Sequence, residues 1–278
     1  MGSVQSRKNS WTFILFLIFS CISLVITLFP FFWMVSTSLK SGKEILADPG
    51  KIIPMNFSFE GFKALFRIAD IPMHFVNSIV FALGLTIISL ILNSMAAYAF
   101  AKISFPRRDK IFTLLVLTMM VPSQVTIIPV FLILKFFGFL NSYAGLIVPG
   151  CAHVFGIFMM RQFILDIPDE LFEAARVDGC GEFKIFTSIV IPLCRPVIAT
   201  LAVLSFVTAW NEFLLPLIIM QDESHYTLPV SLSVIGGQYG ADWDILMAGA
   251  VLVALPSIII FLFAQKHYIQ GIAAGAGK

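Results

Sequence analysis

The polar stretch Glu173-Ala174-Ala175-Arg176-Val177-Asp178-Gly179 stands between two long apolar runs. Its residue types suit binding rather than catalysis. Glu173 and Asp178 offer carboxylates, and the paired alanines leave a shallow surface that another protein can approach. Gly179 supplies the residue type that ends a helix in the left-handed conformation. Ahead of it, Pro168, Asp169 and Glu170 suit a first helical turn, where proline loses nothing and acids complement the helix dipole. Leu171, Ala174, Ala175 and Asp178 then recur on one face at helical spacing. Residues 182–190 can resume as a second short helix until Pro192 stops it. The product is a helix–turn–helix lying along a membrane face. On these residues alone, an ordinary interfacial helix joining two spans fits equally well.

A second constellation is Trp210-Asn211-Glu212, inside another apolar run. An acid at membrane depth is costly and usually faces a cavity or a partner. Hydrogen-bonding groups beside an aromatic ring suit a sugar. Glu212 equally suits a bond to a neighbouring helix that fixes the packing. Gln124, with Ser123 and Thr126, lies between Pro122 and Pro129, and prolines there free backbone carbonyls that neighbours or water must satisfy. That segment is expected to be kinked, facing either a polar path or simply another helix. Metal and thiol chemistry find no pattern. Cys21, Cys151, Cys180 and Cys194 lack any CxxC spacing and read as unpaired, inert small hydrophobes. No metal site and no cofactor is expected. The phosphate loop G-x-x-x-x-G-K-[ST] is missing too, because Gly42-Lys43 and Gly50-Lys51 lack the preceding glycine and the following Ser or Thr. Energy for any transport must come from elsewhere, and the chain reads as no enzyme.

The elements that position these residues are membrane helices. The chain has 278 residues, 59% hydrophobic and 12% charged, with a mean hydropathy of +0.95. A soluble domain carries about 25% charged and 45–50% apolar residues, so lipid is the main solvent here. A net charge of +2 is too small to suggest a nucleic-acid partner. The apolar run 11–36 exceeds a signal-peptide core of about 7–15 residues and reaches the roughly 20 that cross a bilayer. Further spans are expected over 75–100, 111–134, 143–164, 196–220 and 245–264, with longer loops at 37–73 and 221–244. Six spans put both termini on one side. Of the 18 Lys and Arg residues, two thirds fall on that side: Arg7 and Lys8, the 102–110 loop, the 161–195 region and the tail. Short loops rich in Lys and Arg stay in the cytoplasm, so both ends and the 166–195 stretch are expected there.

A resemblance extends this reading. Glu-Ala-Ala, three residues, Gly, nine residues, Ile, one residue, an apolar residue and Pro is similar to the EAA loop of binding-protein-dependent ABC importer permeases. Here it reads Glu173-Ala174-Ala175, Gly179, Ile189 and Ile191-Pro192, with Ile191 where that family usually has Leu. Asn77-Ser78, Ala97-Tyr98-Ala99, Pro122 with Pro129, Trp210-Asn211-Glu212-Phe213 through Pro216, and Gln270 to Gly275 resemble the sugar-importer branch, and within it the maltose-type second permease subunit. The resemblance implies an all-α polytopic fold of six transmembrane helices with a MetI-like core. Residues 1–72 would hold the N-terminal tail, first helix and outer loop, 73–265 the transmembrane core with its EAA loop, and 266–278 a cytoplasmic tail.

It also implies a function and a set of partners. The chain would form half of the pathway for a sugar or oligosaccharide in a bacterial inner membrane. Its partners would be a second homologous permease, two cytoplasmic ATP-binding subunits, an extracytoplasmic solute-binding protein and lipid, with no nucleic acid. The EAA loop would dock as a coupling helix in a groove of an ATPase subunit. Glu173 would make the polar contact, Ala174 and Ala175 would fit the groove, and Gly179 would make the turn. Asp178, Ile189 and Pro192 complete the candidate contact, and Trp210, Asn211, Glu212 and Gln124 form the candidate substrate path. Two other readings stay open: an importer permease for another solute such as glycerol phosphate, or a stand-alone secondary transporter with Glu212 titrating. The absence of basic residues between 196 and 220 favours a neutral sugar over a phosphate ester. The absence of a visible internal repeat disfavours the stand-alone carrier.

Overall fold

A computed structural model describes residues 10–238, 240 and 242–276. Arg7, Lys8 and Lys278 of the expected cytoplasmic tails lie outside the described residues. The helices, in order, are α1 (Ser10–Ser38), α2 (Gly42–Ala47), α3 (Glu60–Ile68), α4 (Ile71–Lys102), α5 (Arg108–Leu117), α6 (Ser123–Phe136), α7 (Tyr143–Ile147) and α8 (Val154–Leu165). There follow α9 (Asp169–Val177), α10 (Glu182–Ile185), α11 (Ile191–Leu193), α12 (Arg195–Trp210), α13 (Leu214–Ile219), α14 (Leu228–Gln238) and α15 (Trp243–Ala276). Every regular element among the described residues is helical, so the all-α expectation holds.

Three stretches are long and apolar enough to cross a membrane unaided: Phe13–Ser38, Ile71–Lys102 and Trp243–Phe263. Three bent pairs raise the number to as many as six, consistent with the expected six. The bends exceed what apolar length reveals. Arg108–Met120 and Ser123–Phe136 meet at 103°, a near-perpendicular turn where a kinked span is expected. Pro122 supplies the cause: it stands in extended backbone at ψ 133° as the residue before α6, and its ring bars continuation of the preceding helix. Pro129 lies inside α6. Tyr143–Gly150 and Val154–Leu165 meet at 46° across the break at 151–153, just after Pro149-Gly150.

The expected span 196–220 is broken as well, at 211–213 between α12 and α13. Pro216 cannot donate to the carbonyl of Glu212 and its ring clashes there, so the helix restarts and places Pro216 in its first turn. Upstream, Pro192 does not end the chain's helix. A π turn over Phe186–Val190 widens the backbone before the proline, α11 runs to Leu193, and the 80° bend to α12 comes at Cys194. The loops are not plain either: 37–73 contains α2 and α3, and 221–244 contains α14. At the C-terminal end α15 continues through the expected tail to Ala276.

The chain divides into two compact units. One takes in Met1–Ala69 with Val234–Leu252, the other Asp70–Ser233 with Val253–Lys278. In the first unit the Lys40 side chain is buried and donates to the Lys51 carbonyl, and Ser36 donates to the Ile52 carbonyl, folding the polar segment after α1 back on itself. The apolar side chains along α1 are exposed, as a helix solvated by lipid requires.

In the second unit α4 packs against α8 and α12. Its buried residues include Ser78, Ala82, Thr86, Ser89, Asn93, Ala97 and Ala101, a ladder of mostly small side chains at three- and four-residue steps. Such ladders let membrane helices approach closely. Gly156 of α8 marks the tightest point, since a Cβ there would lie 2.6 Å from Asn93 Nδ2. Asn93 Oδ1 in turn accepts the His153 N–H at 3.0 Å, satisfying backbone at the start of α8. Asp70 caps α4 by accepting the Met73 N–H at 3.2 Å, which starts this span at Ile71 rather than 75.

Candidate functional site

The EAA-like segment forms α9 and the turn after it. Gly179 takes φ +79°. Its N–H donates to the Arg176 carbonyl at 3.0 Å and the Cys180 N–H to the Ala175 carbonyl at 2.9 Å. That bond pair is a Schellman motif, which closes the helix rigidly. Pro168 is the residue before the first turn rather than within it. Phe172 is the buried anchor at 1% exposure, while Glu173, Ala174 and Asp178 are exposed and Ala175 is half-buried. Val177 and Phe183, at 87% and 72% exposure, add apolar surface beside them. Exposed acids and bare apolar groups in one short segment suit contact with another protein. Ile189 and Pro192 are placed differently. Ile189 packs against the core under the loop, and Pro192 stands in α11 ahead of the bend.

Two polar clamps hold this loop to the end of α4. Tyr98 donates its hydroxyl to Glu182 Oε2, and Glu182 Oε1 accepts Arg176 Nε at 2.8 Å. The second clamp is Lys102, whose ammonium donates to Asp169 Oδ1 at 2.6 Å and to the Ile167 carbonyl at 2.7 Å, 4.8 Å above the Phe172 ring. The hydrogen bond and the charge of Lys102 hold the Asp169 carboxyl below its ordinary range. The hydrogen bond that Arg176 donates to Glu182 raises its guanidinium above its usual value. Between the clamps, Tyr98 lies against Phe172 and Phe186 with ring centroids 6.2 and 5.7 Å away. Sequence reasoning singled out none of Lys102, Asp169 and Glu182 as partners. Their signal was opposite charge at the ends of separate helices, which sequence spacing does not register.

The candidate substrate-path residues separate. Trp210 is 1% exposed, donates Nε1–H to the Val253 carbonyl at 2.8 Å, and packs on Phe75 and Phe206. Asn211 donates to the Val207 carbonyl at 2.8 Å and to Ser257 Oγ at 3.3 Å. Both side chains are bonded to helix groups, and neither lines the cavity that Glu212 borders. Glu212 and Gln124 instead line one cavity of about 370 Å³. Ser123, Thr126, Thr208 and His153 share it, with apolar walls from Phe81, Leu85 and Leu146. Glu212 Oε1 also accepts the Leu215 N–H at 3.3 Å, tying it to the start of α13. His153 was missed because a lone histidine in an apolar run carries no spacing signal. The clue was its place just after Pro149-Gly150. Among the described residues no cluster of three or more His, Cys, Asp or Glu could hold a metal ion.

At another edge of the same unit, asparagine amides tie loop backbone together, and Asn141 also donates to the Asp222 carboxylate. Asn77 donates to the Ser224 and Tyr226 carbonyls at 2.9 and 3.0 Å and accepts from the Tyr143 hydroxyl at 2.6 Å. Asn141, at φ +56°, accepts the Gln221 and Asp222 N–H groups at 3.2 Å each.

Residues 94–273 match the family described as the binding-protein-dependent transport system inner membrane component. The chain is similar to the arabinooligosaccharides transport system permease protein AraQ of Bacillus subtilis, at 38% identity over 90% of each chain. It is also similar to the lactose transport system permease protein LacG of Rhizobium radiobacter, at 32% identity over 88% of this chain and 89% of that one. In fold it matches a subunit of a bacterial ABC transporter involved in import of the acidic polysaccharide alginate, with TM-score 0.83 and 23% identity over 96% of this chain and all of the other. A second match, at TM-score 0.68 and 20% identity over 92% of this chain and 93% of the other, is to a bacterial alginate ABC transporter in complex with an alginate pentasaccharide-bound periplasmic protein.

Proposed function

The chain belongs to the family of inner membrane components of binding-protein-dependent transport systems, and from that premise we propose that it forms half of the translocation pathway for a sugar or oligosaccharide in an ATP-binding-cassette importer. It is the membrane component, and ATP is hydrolysed by a separate subunit. A second homologous permease completes the pathway, two cytoplasmic ATP-binding subunits drive it, and a solute-binding protein delivers the sugar from outside. The names of its relatives support the sugar class, and the complex of the alginate transporter supports the binding-protein partner. The basic residues support an orientation with both termini in the cytoplasm. Residues 73–265 then act as the transmembrane core.

The single observation that carries the mechanism is the double clamp between α9 and α4. An ATPase subunit that grips Glu173, Ala174 and Ala175 pulls on a helix closed by a Schellman turn. That helix cannot shift alone, because Asp169 and Arg176 are bound through Lys102 and through Glu182 with Tyr98. Motion therefore passes into α4. The same helix carries Phe81 and Leu85 of the cavity wall, about 26 Å along the axis from Lys102 to Leu85 at 1.5 Å per residue. ATPase closure at one end thus reshapes the cavity within the membrane.

The test is transport by the complete importer in proteoliposomes, with ATP inside and binding protein outside, reading uptake of tritiated arabinotriose, lactose and diacetylchitobiose. Uptake of at least one sugar that needs both ATP and the binding protein is the expected result. Uptake that continues without ATP would contradict the importer reading and favour a stand-alone carrier.

A further inference from the structure

The cavity between the broken helices has a composition that the transport role alone does not dictate. We infer that it is a sugar-contacting station within this chain, and that it accepts neutral glycans while disfavouring acidic ones; this rests on the sugar-importer reading above.

Three interruptions of helical backbone open on it. The chain break at Val121 and Pro122 presents Ser123 and Gln124, the break at 151–153 presents His153, and the break at 211–213 presents Glu212. Non-helical backbone at membrane depth is tolerated only where protein buries it or where it lines a water-filled cavity. Breaks in three separate spans that border one space are the arrangement by which transporters build solute sites from discontinuous helices. A volume of about 370 Å³ lies within the roughly 300–1,000 Å³ usual for small-molecule sites. The wall is apolar apart from a few polar groups, as such sites require. Those groups are three hydroxyls (Ser123, Thr126, Thr208), one amide (Gln124), one imidazole (His153) and one carboxylate (Glu212). Together they offer both donors and acceptors, which is what a sugar ring with several hydroxyls demands. His153 and Thr208 also line a smaller cavity of about 90 Å³ that reaches Ser89 and Asn93, so polar lining continues beyond the first space.

Charge sets the preference. Glu212 is the acid of the lining, and no Lys or Arg belongs to it. A uronate carboxylate placed beside the Glu212 carboxylate meets a group of like charge, with no cationic Lys or Arg in the lining to offset the repulsion. A neutral pyranose or furanose meets only hydrogen-bonding groups. The fold is shared with a transporter of acidic alginate, so the fold does not decide between the two classes, and the lining of this chain does.

The experiment uses the complete importer with the four native cysteines replaced by alanine and Thr208→Cys introduced, with Gln124→Cys as an independent second reporter. The rate of N-ethylmaleimide modification is read without binding protein, in the presence of arabinotriose, lactose, diacetylchitobiose or trigalacturonate at equal concentration. At least one neutral sugar should slow labelling threefold or more, trigalacturonate should not, and adding Glu212→Gln should let trigalacturonate protect. Uptake of the same sugars in proteoliposomes accompanies each variant. Uptake without protection at either reporter overturns this inference alone, and so does equal protection by trigalacturonate in the Glu212 protein. No uptake of any of the neutral sugars by the unsubstituted importer overturns the sugar reading, and this inference with it.

Discussion

Tyr98 shows how a single hydroxyl can matter to coupling. It supplies the link from α4 to Glu182, and Phe in its place keeps the ring packing on Phe172 and Phe186 while removing the donor. The loss of a hydrogen bond to a charged acceptor costs about 1.5–3 kcal/mol. The complete importer carrying Tyr98→Phe with Lys102→Met should still hydrolyse ATP, while its sugar uptake falls about tenfold. Equal losses of hydrolysis and uptake would mean that the clamps only hold the fold. At Gly179 the constraint is backbone. An L side chain at φ +79° costs about 1–2 kcal/mol, so Gly179→Ala should lower the melting temperature of the purified chain, and Gly181→Ala, at φ −70°, should not. Trp210 shows, at this same scale, what the sequence leaves out. An aromatic beside an amide and an acid resembles a sugar platform, but its indole N–H had a carbonyl partner on α15, and no local pattern announces a partner that far along the chain.

At the scale of helices, the close approach of α4 and α8 rests on Gly156 against Asn93. Gly156→Ala forces Asn93 aside and disturbs the bond that holds the start of α8. Overpacking of this kind costs about 1–3 kcal/mol, and a lowered melting temperature in detergent is the readout. The Lys102–Asp169 pair between α4 and α9 depends on pH. The folded-state pKa of Asp169 is depressed, so its contribution is complete above the ordinary carboxylate value of about 3.9. It is lost as pH falls through the lower folded value. The gap in melting temperature between the unsubstituted chain and Asp169→Asn should be present at pH 7 and should shrink as pH falls below about 4. What the sequence conceals at this scale is curvature. Apolar length announces α1, α4 and α15 directly, because each is one uninterrupted helix. The helices around Pro122, Pro149 and Pro216 stop and restart, whereas Pro30 and Pro256 sit inside the unbroken α1 and α15, so a proline in the sequence gives neither the break nor its angle.

For the whole molecule, the all-α membrane class was legible from composition, and the importer family from the spacing of Glu173, Ala174, Ala175, Gly179 and Pro192. That spacing is readable because it reflects a surface and its turn, both local in the chain. The clamps were not legible, since each joins residues some 65 to 85 positions apart (Lys102 with Asp169, Tyr98 with Glu182); of the cavity, the resemblance had grouped Gln124 with Glu212, but not His153 or Thr208 with them. We propose that the exposed face of α9 receives an ATPase subunit. The most direct test is purification of the tagged chain in mild detergent with its partners identified by mass spectrometry, beside a Glu173→Lys, Gly179→Pro variant. The account predicts that the unsubstituted chain brings down a second permease and an ATP-binding subunit, and that the variant keeps the permease and loses the ATP-binding subunit. A chain that purifies alone, or a variant that retains the ATP-binding subunit in full, would contradict it.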